Sequence, residues 1–478
     1  MFRIDHDVSK KRNLLILVVV CLTEHTFDII LLDKKYPHLT KDDEKLGKIP
    51  FAFISVLFGG DRVARVILHC DANSFYCSCE LCYRPELRHL PVAVGGDVEA
   101  RHGIILTANP LAKKKFGVKT GEALWQARHK CPQLVILPAD YSLYIHFSKQ
   151  MRSIVEEYSD RVEAFGLDEN WIDISGPRVT LDDGERIAQE IRRRVKEELG
   201  ITVSIGVADN KIFAKLGSDM KKPDAVTVIR PNDFRETVWK LPAGDLLYVG
   251  PATRKKLAAV GILSIGDLAN CDARILSTML GKNGLILKLY AMGADQTPVM
   301  PVGAETAIKS IGNSLTAPRD IETFADAKCV IYLLCESVAA RMREHGFRSR
   351  CISLSVRSTE LVCNSCQCTI DTATNLTGEI AETAYRLFTT RFADRLPLRS
   401  LGVSCGRLSP DTAPVQLDMF GDNERRLRVE DLERAVDGLR GRFGHQVVQR
   451  GIVLFDRKFS EVNPREEHTI HPVPLYTG

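Results

Sequence analysis

The chain has 478 residues, 45% of them apolar and 26% charged, which excludes a disordered protein or a small disulfide scaffold and leaves room for several domains. A net charge of +4 is too small to argue nucleic-acid binding from totals, so any such surface has to be local. The 14 cysteines, scattered over this length, read as reduced thiols.

Residues 1–62 stand apart. Lys10-Lys11-Arg12 precedes an apolar stretch from Leu14 to Leu22, too short for a bilayer span and followed by Thr23-Glu24-His25-Thr26, which offers no small-residue cleavage site. An N-terminal extension, or a start codon placed too far upstream, is expected, with no membrane attachment. From Val63 onward strands and helices alternate. Residues 63–68 and 91–94 read as strands, with a helix at 75–81. Residues 104–106 read as a strand leading through Lys113-Lys114-Lys115 to Gly117. A helix at 123–130, a strand at 134–137 and a long helix at 143–158 follow. The acidic run Asp168-Glu169-Asn170-Trp171 opens another strand, and a helix at 188–199 precedes a strand at 202–207. This alternation predicts an α+β multidomain chain rather than a helical bundle. Residues 232–293 read as small helices, and Pro298, Pro301 and Gly303 mark a linker. A second α/β unit at 308–408 carries helices at 325–345 and 378–392. The polar tail holds a helix at 429–443.

Chemistry concentrates at two strand ends. Asp71 follows the apolar Val66-Ile67-Leu68, and the pair Asp168-Glu169 precedes Trp171-Ile172. Carboxylates at the ends of apolar strands are costly unless neutralised. The simplest neutraliser for three converging acids is a hard divalent cation, magnesium or manganese, which points to phosphoryl or nucleotidyl transfer.

Four segments in order, the Asp71–Tyr76 run, the 103–121 loop, the 166–173 strand and Ser204-Ile205-Gly206-Val207-Ala208-Asp209-Asn210-Lys211, resemble the Y family of translesion DNA polymerases, its bacterial DinB branch most of all. The resemblance runs from about residue 63 to 420. It implies a right-hand polymerase with a ferredoxin-like palm (63–74 and 140–231), small fingers (75–139) and a thumb (232–297) with a helix-hairpin-helix. A linker (298–307), a C-terminal α/β little finger (308–410) and a tail (411–478) would follow.

By the same resemblance, Asp71, Asp168 and Glu169 are the catalytic acids, and with the Ala72 carbonyl they hold two Mg2+ ions, for which Mn2+ can substitute. Tyr76 is the steric gate that excludes a 2′ hydroxyl. Phe75 is expected in the core. Lys222 in Asp219-Met220-Lys221-Lys222-Pro223 matches the palm lysine for the triphosphate. The fingers depart from the family: Pro110 or Leu111 stands at its tyrosine, and Lys113 or Lys114 replaces its arginine, giving charge without a bidentate fork.

DNA binding falls to Gly250, Thr253 and Lys256 in the hairpin, with Arg254 and Lys255 adding charge, and to Lys309 and Arg399 along the template backbone. Gln416, Leu417, Met419 and Phe420 resemble the peptide that binds the sliding clamp (its beta subunit). Cys363-x2-Cys366-x-Cys368 and Cys77-x-Cys79-x2-Cys82 have the look of zinc spacings, but buried or semi-exposed thiols are expected.

The implied protein is a cytoplasmic, monomeric, DNA-directed DNA polymerase. It would use primer-template DNA and dNTPs, copy damaged templates at low fidelity and act in DNA repair. Two rivals stay open: a catalytically silent relative that recruits other polymerases to the clamp, and a template-independent nucleotidyl transferase on a related palm.

Overall fold

The computed structural model describes residues 17–23, 26–32, 65–96, 103–304, 307–414 and 423–463. The clamp-like peptide Gln416, Leu417, Met419 and Phe420 lies outside them. In the N-terminal extension, Leu17–Thr23 pairs antiparallel with Thr26–Leu32 as a hairpin. Among the described residues no helix is long and apolar enough to cross a membrane.

The catalytic unit is built on a five-stranded sheet in the order Val226–Val228, Val203–Ala208, Ile67–Ala72, Glu169–Asp173, Val162–Ala164. All pairings are antiparallel except the edge strand Val226–Val228, which runs parallel to its neighbour. Without that edge strand, the order is that of a split βαβ, ferredoxin-like sheet. The first strand occupies the middle and is buried throughout. Its alternation divides the core. Leu68, Cys70 and Ala72 face the helices Tyr141–Glu156 and Leu181–Leu199, whereas Ile67 faces the helix Lys211–Met220 and the unit that follows.

Contact between Lys211–Met220 and the sheet depends on glycine. A Cβ on Gly206 would lie 1.9 Å from the Ala214 carbonyl oxygen and 2.5 Å from the Ser218 nitrogen. The helix therefore rests directly on the strand backbone, which brings Lys215 and Ser218 down onto the sheet.

Residues between the central strand and Tyr141 form a small sheet of Ile105–Ala108, Val92–Gly95 and Val135–Pro138 with its own apolar core. The Lys-rich run expected as a loop is the helix Pro110–Phe116. Asn109 caps it, accepting from the Ala112 amide, and Gly117 ends it at φ +68°. Short helices from Phe234 to Ala291 follow. The expected linker begins pinned to the sheet: the Met300 amide donates to Glu163 at 3.0 Å, and the Val302 amide to the Asp160 carbonyl at 2.8 Å.

The C-terminal unit is a four-stranded antiparallel sheet in the order Ser310–Ile321, Leu398–Pro410, Phe347–Ser358, Cys363–Thr374, packed against Phe324–Glu344 and Thr377–Arg391. The tail helix is longer than expected, Asn423–Phe443, and docks through charge. Arg343 binds Glu433 at 2.5 Å and Asp437 at 2.7 Å, while Arg440 and Arg450 each reach the buried Glu336 at 3.0 Å.

Candidate active site

Asp71 is the penultimate residue of the strand Ile67–Ala72, at the strand end that the sequence suggested, opposite Glu169 on one side and Ser204 on the other. Strand pairing continues through the acid because the charge is met locally. Asp71 Oδ2 accepts from Lys215 Nζ at 2.7 Å and from Lys222 Nζ at 2.8 Å. Lys215 also reaches Glu169 Oε1 at 3.0 Å and Asp219 at 3.3 Å, and Lys222 reaches Asp219 at 2.8 Å. Burial works against the Lys215 charge, but Asp71, Glu169 and Asp219 outweigh it and raise its pKa; for Lys222, Asp71 and Asp219 outweigh burial in the same direction. Lys215 was not singled out from sequence. Its spacing of four before Asp219, one helical turn, was the available signal.

Asp168 enters from the turn before the next strand, its carbonyl accepting from the Ala72 amide at 2.9 Å. Among the described residues its carboxylate has no ion pair. Burial first, then Glu169 and Asp71, push its pKa up to about 7.

After Ala72 the chain turns sharply. Asn73 is buried, donating its amide to the Thr202 carbonyl at 2.9 Å and accepting from Ser204 Oγ at 3.0 Å. Ser74 takes φ +50° and starts the helix Phe75–Tyr83. Phe75 is buried and Tyr76 half-buried. Tyr76 stacks on Tyr144 with centroids 4.3 Å apart and planes at 17°, and meets Tyr141 edge-on at 6.0 Å. Tyr144 is itself held by donation to Glu80 at 2.8 Å. Burial, then Asp168, pushes the Tyr76 phenol up to about 12, so it stays neutral.

A cleft of about 380 Å³ joins these groups: Asp71, Asp168, Glu169, Tyr76, Lys215 and Lys222 on one side, Lys113 and Thr120 on the other. Lys113 reaches Ser74 Oγ at 3.2 Å, and its pKa is lowered by burial, with Lys222 adding to the effect. Lys114 is exposed and does not line the cleft. The lining holds four carboxylates (Asp71, Asp168, Glu169, Asp219) against three lysines, and one buried oxygen, Glu169 Oε2, has no hydrogen-bond partner. An all-oxygen set with more carboxylates than lysines fits a hard divalent cation.

Beneath this floor lies His69, fully buried and unforeseen from the sequence. Its Nδ1 is 3.0 Å from Ser218 Oγ, and its Nε2 faces Glu169 Oε2 at 3.4 Å. Burial, then Lys215, lowers its pKa well below the usual value, so the ring is neutral.

The other predicted residues lie elsewhere. Gly250 caps the helix Pro251–Ala258 and a Cβ there would meet nothing within 4 Å; Thr253 is half-buried, and Lys256 exposed. Lys309 is exposed just before Ser310–Ile321, and Arg399 is half-buried in Leu398–Pro410. Cys77 lies within hydrogen-bond reach of the Val92 and Thr107 carbonyls, and burial raises its pKa to about 12.

Comparison with known proteins gives a consistent relationship. The impB/mucB/samB family profile matches residues 70–219, and the profile of that family's C-terminal domain matches 308–419. DNA polymerase IV of Acetivibrio thermocellus is 50% identical over 398 residues, covering 83% of this chain and all of that protein. DNA polymerase IV of Moorella thermoacetica is 37% identical over 388 residues, 81% of this chain and 96% of its own. DNA polymerase IV 1 of Bacillus subtilis is 34% identical over 392 residues, 82% and 94% respectively. A solved Y-family DNA polymerase chimera shares the fold with a TM-score of 0.64 at 22% identity, over 72% of this chain and 99% of its own. The chain belongs to the impB/mucB/samB family, the Y-family DNA polymerases, in its DinB-type branch.

Proposed function

We infer that the cleft adds deoxynucleotides to a primer 3′ end on a DNA template. The chain is a DNA-directed DNA polymerase of the translesion class. The observation that carries the site assignment is the meeting of Asp71, Asp168 and Glu169 with Tyr76, Lys113 and Lys222 in one cleft.

Asp71, Asp168 and Glu169, with the Ala72 carbonyl, are proposed to hold two Mg2+ ions, or Mn2+ in their place. Such ions, when bound, lower the pKa of the primer hydroxyl and stabilise the attacking and leaving oxygens of an in-line displacement. Lys222 and Lys113 supply the cations for the triphosphate, and the pairing of Lys222 with Asp71 and Asp219 keeps it charged until a phosphate replaces them. Lys113 acts as a point charge, without the fork an arginine would bring. Tyr76, fixed by its stack on Tyr144, sits under the sugar and clashes with a 2′ hydroxyl.

Gly250, Thr253 and Lys256 would grip DNA phosphates, while Lys309 and Arg399 would follow the template backbone without reading its sequence. Gln416, Leu417, Met419 and Phe420 would tether a cytoplasmic monomer to the sliding clamp.

Primer extension on damaged and undamaged templates, with Asp168→Ala as control, tests the reading. Loss of several kcal/mol of transition-state stabilisation predicts a fall on the order of 10³ in rate. Equal inertness of wild type and variant would leave the recruiting role instead. Turnover without template would favour the other transferase.

A further inference from the structure

Two buried polar atoms face each other across the floor of the cleft with nothing between them. His69 Nε2 and Glu169 Oε2 are 3.4 Å apart, and neither has a hydrogen-bond partner. Buried polar atoms are nearly always paired, so a matched pair of orphans at this spacing calls for an explanation.

The tautomer of His69 decides whether they attract. A neutral imidazole has one N–H and one lone pair. With the proton on Nδ1, Nε2 would point a lone pair at a carboxylate oxygen, which is repulsive. With the proton on Nε2, that nitrogen donates to Glu169, and Nδ1 needs a donor of its own. Ser218 Oγ stands 3.0 Å from Nδ1 and can supply it. That hydroxyl donates to the Lys215 carbonyl at 2.7 Å, a helical acceptor, so moving its single proton to His69 gives up that bond but leaves no charged group unmet.

We propose that His69 is a positioning residue for Glu169: Ser218 donates to His69 Nδ1, and His69 Nε2–H holds Glu169 Oε2, leaving Oε1 as the oxygen offered to cations. The inference rests on the polymerase reading above and adds residues that this reading does not use.

The arrangement is rigid on every side. His69 lies in the central strand opposite Trp171, whose ring meets it edge-on at 5.2 Å. Ser218 sits where Gly206 lets the helix touch the sheet. Lys215, on the same helix, takes the other Glu169 oxygen at 3.0 Å. One helix thus fixes both ends of a single carboxylate, one directly and one through the histidine. Hydrogen bonds of this kind are often long in a free enzyme and shorten in the working complex. Groups that orient a metal-binding carboxylate are worth about 10–100-fold in metal affinity when removed.

The test is the Mg2+ concentration for half-maximal primer extension, with dNTP KM and DNA affinity measured in parallel, for wild type and His69→Phe, His69→Gln and Ser218→Ala. The phenyl ring keeps the packing but gives no N–H, whereas the glutamine amide returns one. His69→Phe is expected to raise the Mg2+ requirement at least about tenfold with DNA affinity unchanged. Ser218→Ala should raise it less, and His69→Gln should restore most of it. An unchanged Mg2+ requirement in His69→Phe overturns the proposal. Should that variant not fold, nitrogen-15 NMR of wild-type histidines decides: a proton on Nε2 of His69 supports it, one on Nδ1 overturns it. An inactive wild type would sink the polymerase reading itself, a result distinct from either.

Discussion

Asp71 and Glu169 are register partners on neighbouring antiparallel strands, and the Lys215 ammonium donates to both, at 2.7 and 3.0 Å. Their mutual repulsion is therefore cancelled by a group of the fold itself. Replacing Lys215 by alanine leaves two nearby carboxylates with less counter-charge, and breaking a buried pair costs about 3 kcal/mol or more. Urea denaturation should show that loss in EDTA, and a smaller one in millimolar Mg2+, because the cation binds the vacated acids. An equal loss in both conditions would mean that Lys215 acts only through packing.

Tyr76 is held by stacking and has no hydrogen-bonded anchor of its own among the contacts described. Tyr76→Ala should keep dNTP incorporation within a few-fold while the preference for dNTP over rNTP falls by roughly 10–200-fold. Single-nucleotide insertion with matched dCTP and CTP measures the ratio. Unchanged discrimination would return Tyr76 to the role of a core aromatic.

Gly206 tests the helix contact. An added methyl would lie 1.9 Å from the Ala214 carbonyl oxygen, backbone that cannot give way without moving the whole helix. Gly206→Ala is expected to destabilise by about 3 kcal/mol and to reduce activity beyond the loss of folded protein, since Lys215 and Ser218 ride on that helix. Melting curves and activity per folded molecule separate the two effects.

Acid should weaken the C-terminal unit in part through Asp326. Burial alone would raise this carboxyl, but Arg319 and the Thr323 cap outweigh it and hold it at about 2 against an ordinary 3.8. A depressed folded pKa gives stability that is complete above the unfolded value and is lost as pH falls through the folded one. Wild type should therefore lose this contribution between about pH 4 and about pH 2, and Asp326→Asn should show a flatter acid profile over that span. Parallel profiles would remove Asp326 from the account.

Local chemistry in the sequence carried the α+β alternation, the acid clusters and Lys222, because strand and helix periodicity and a distinctive run of acids are written within a few residues. The helix Pro110–Phe116 was legible in principle: Asn109 before a proline and Gly117 after a phenylalanine are start and stop signals, but the three lysines between them read as a solvated loop. His69 and Ser218 were not legible. They are 149 residues apart, and their pairing depends on the close approach at Gly206. The tail helix hid its docking for the same reason, since Glu433 finds Arg343 at a separation of 90 residues. A stripe of charged residues on a helix ordinarily reads as a solvated face.

The order of strands in the catalytic sheet sets a schedule for synthesis. The central strand Ile67–Ala72 is made first, yet its neighbours Glu169–Asp173 and Val203–Ala208 come from much later in the chain. The small sheet between, from Val92 to Pro138, is contiguous and can close while translation continues. At about 5–20 residues per second, the middle strand waits on the order of 10 s for its second partner. Through that interval a bare apolar strand bearing Asp71 must be kept from other chains on the ribosome. A charged residue within a mostly apolar strand is the kind of feature that guards a nascent edge against mispairing.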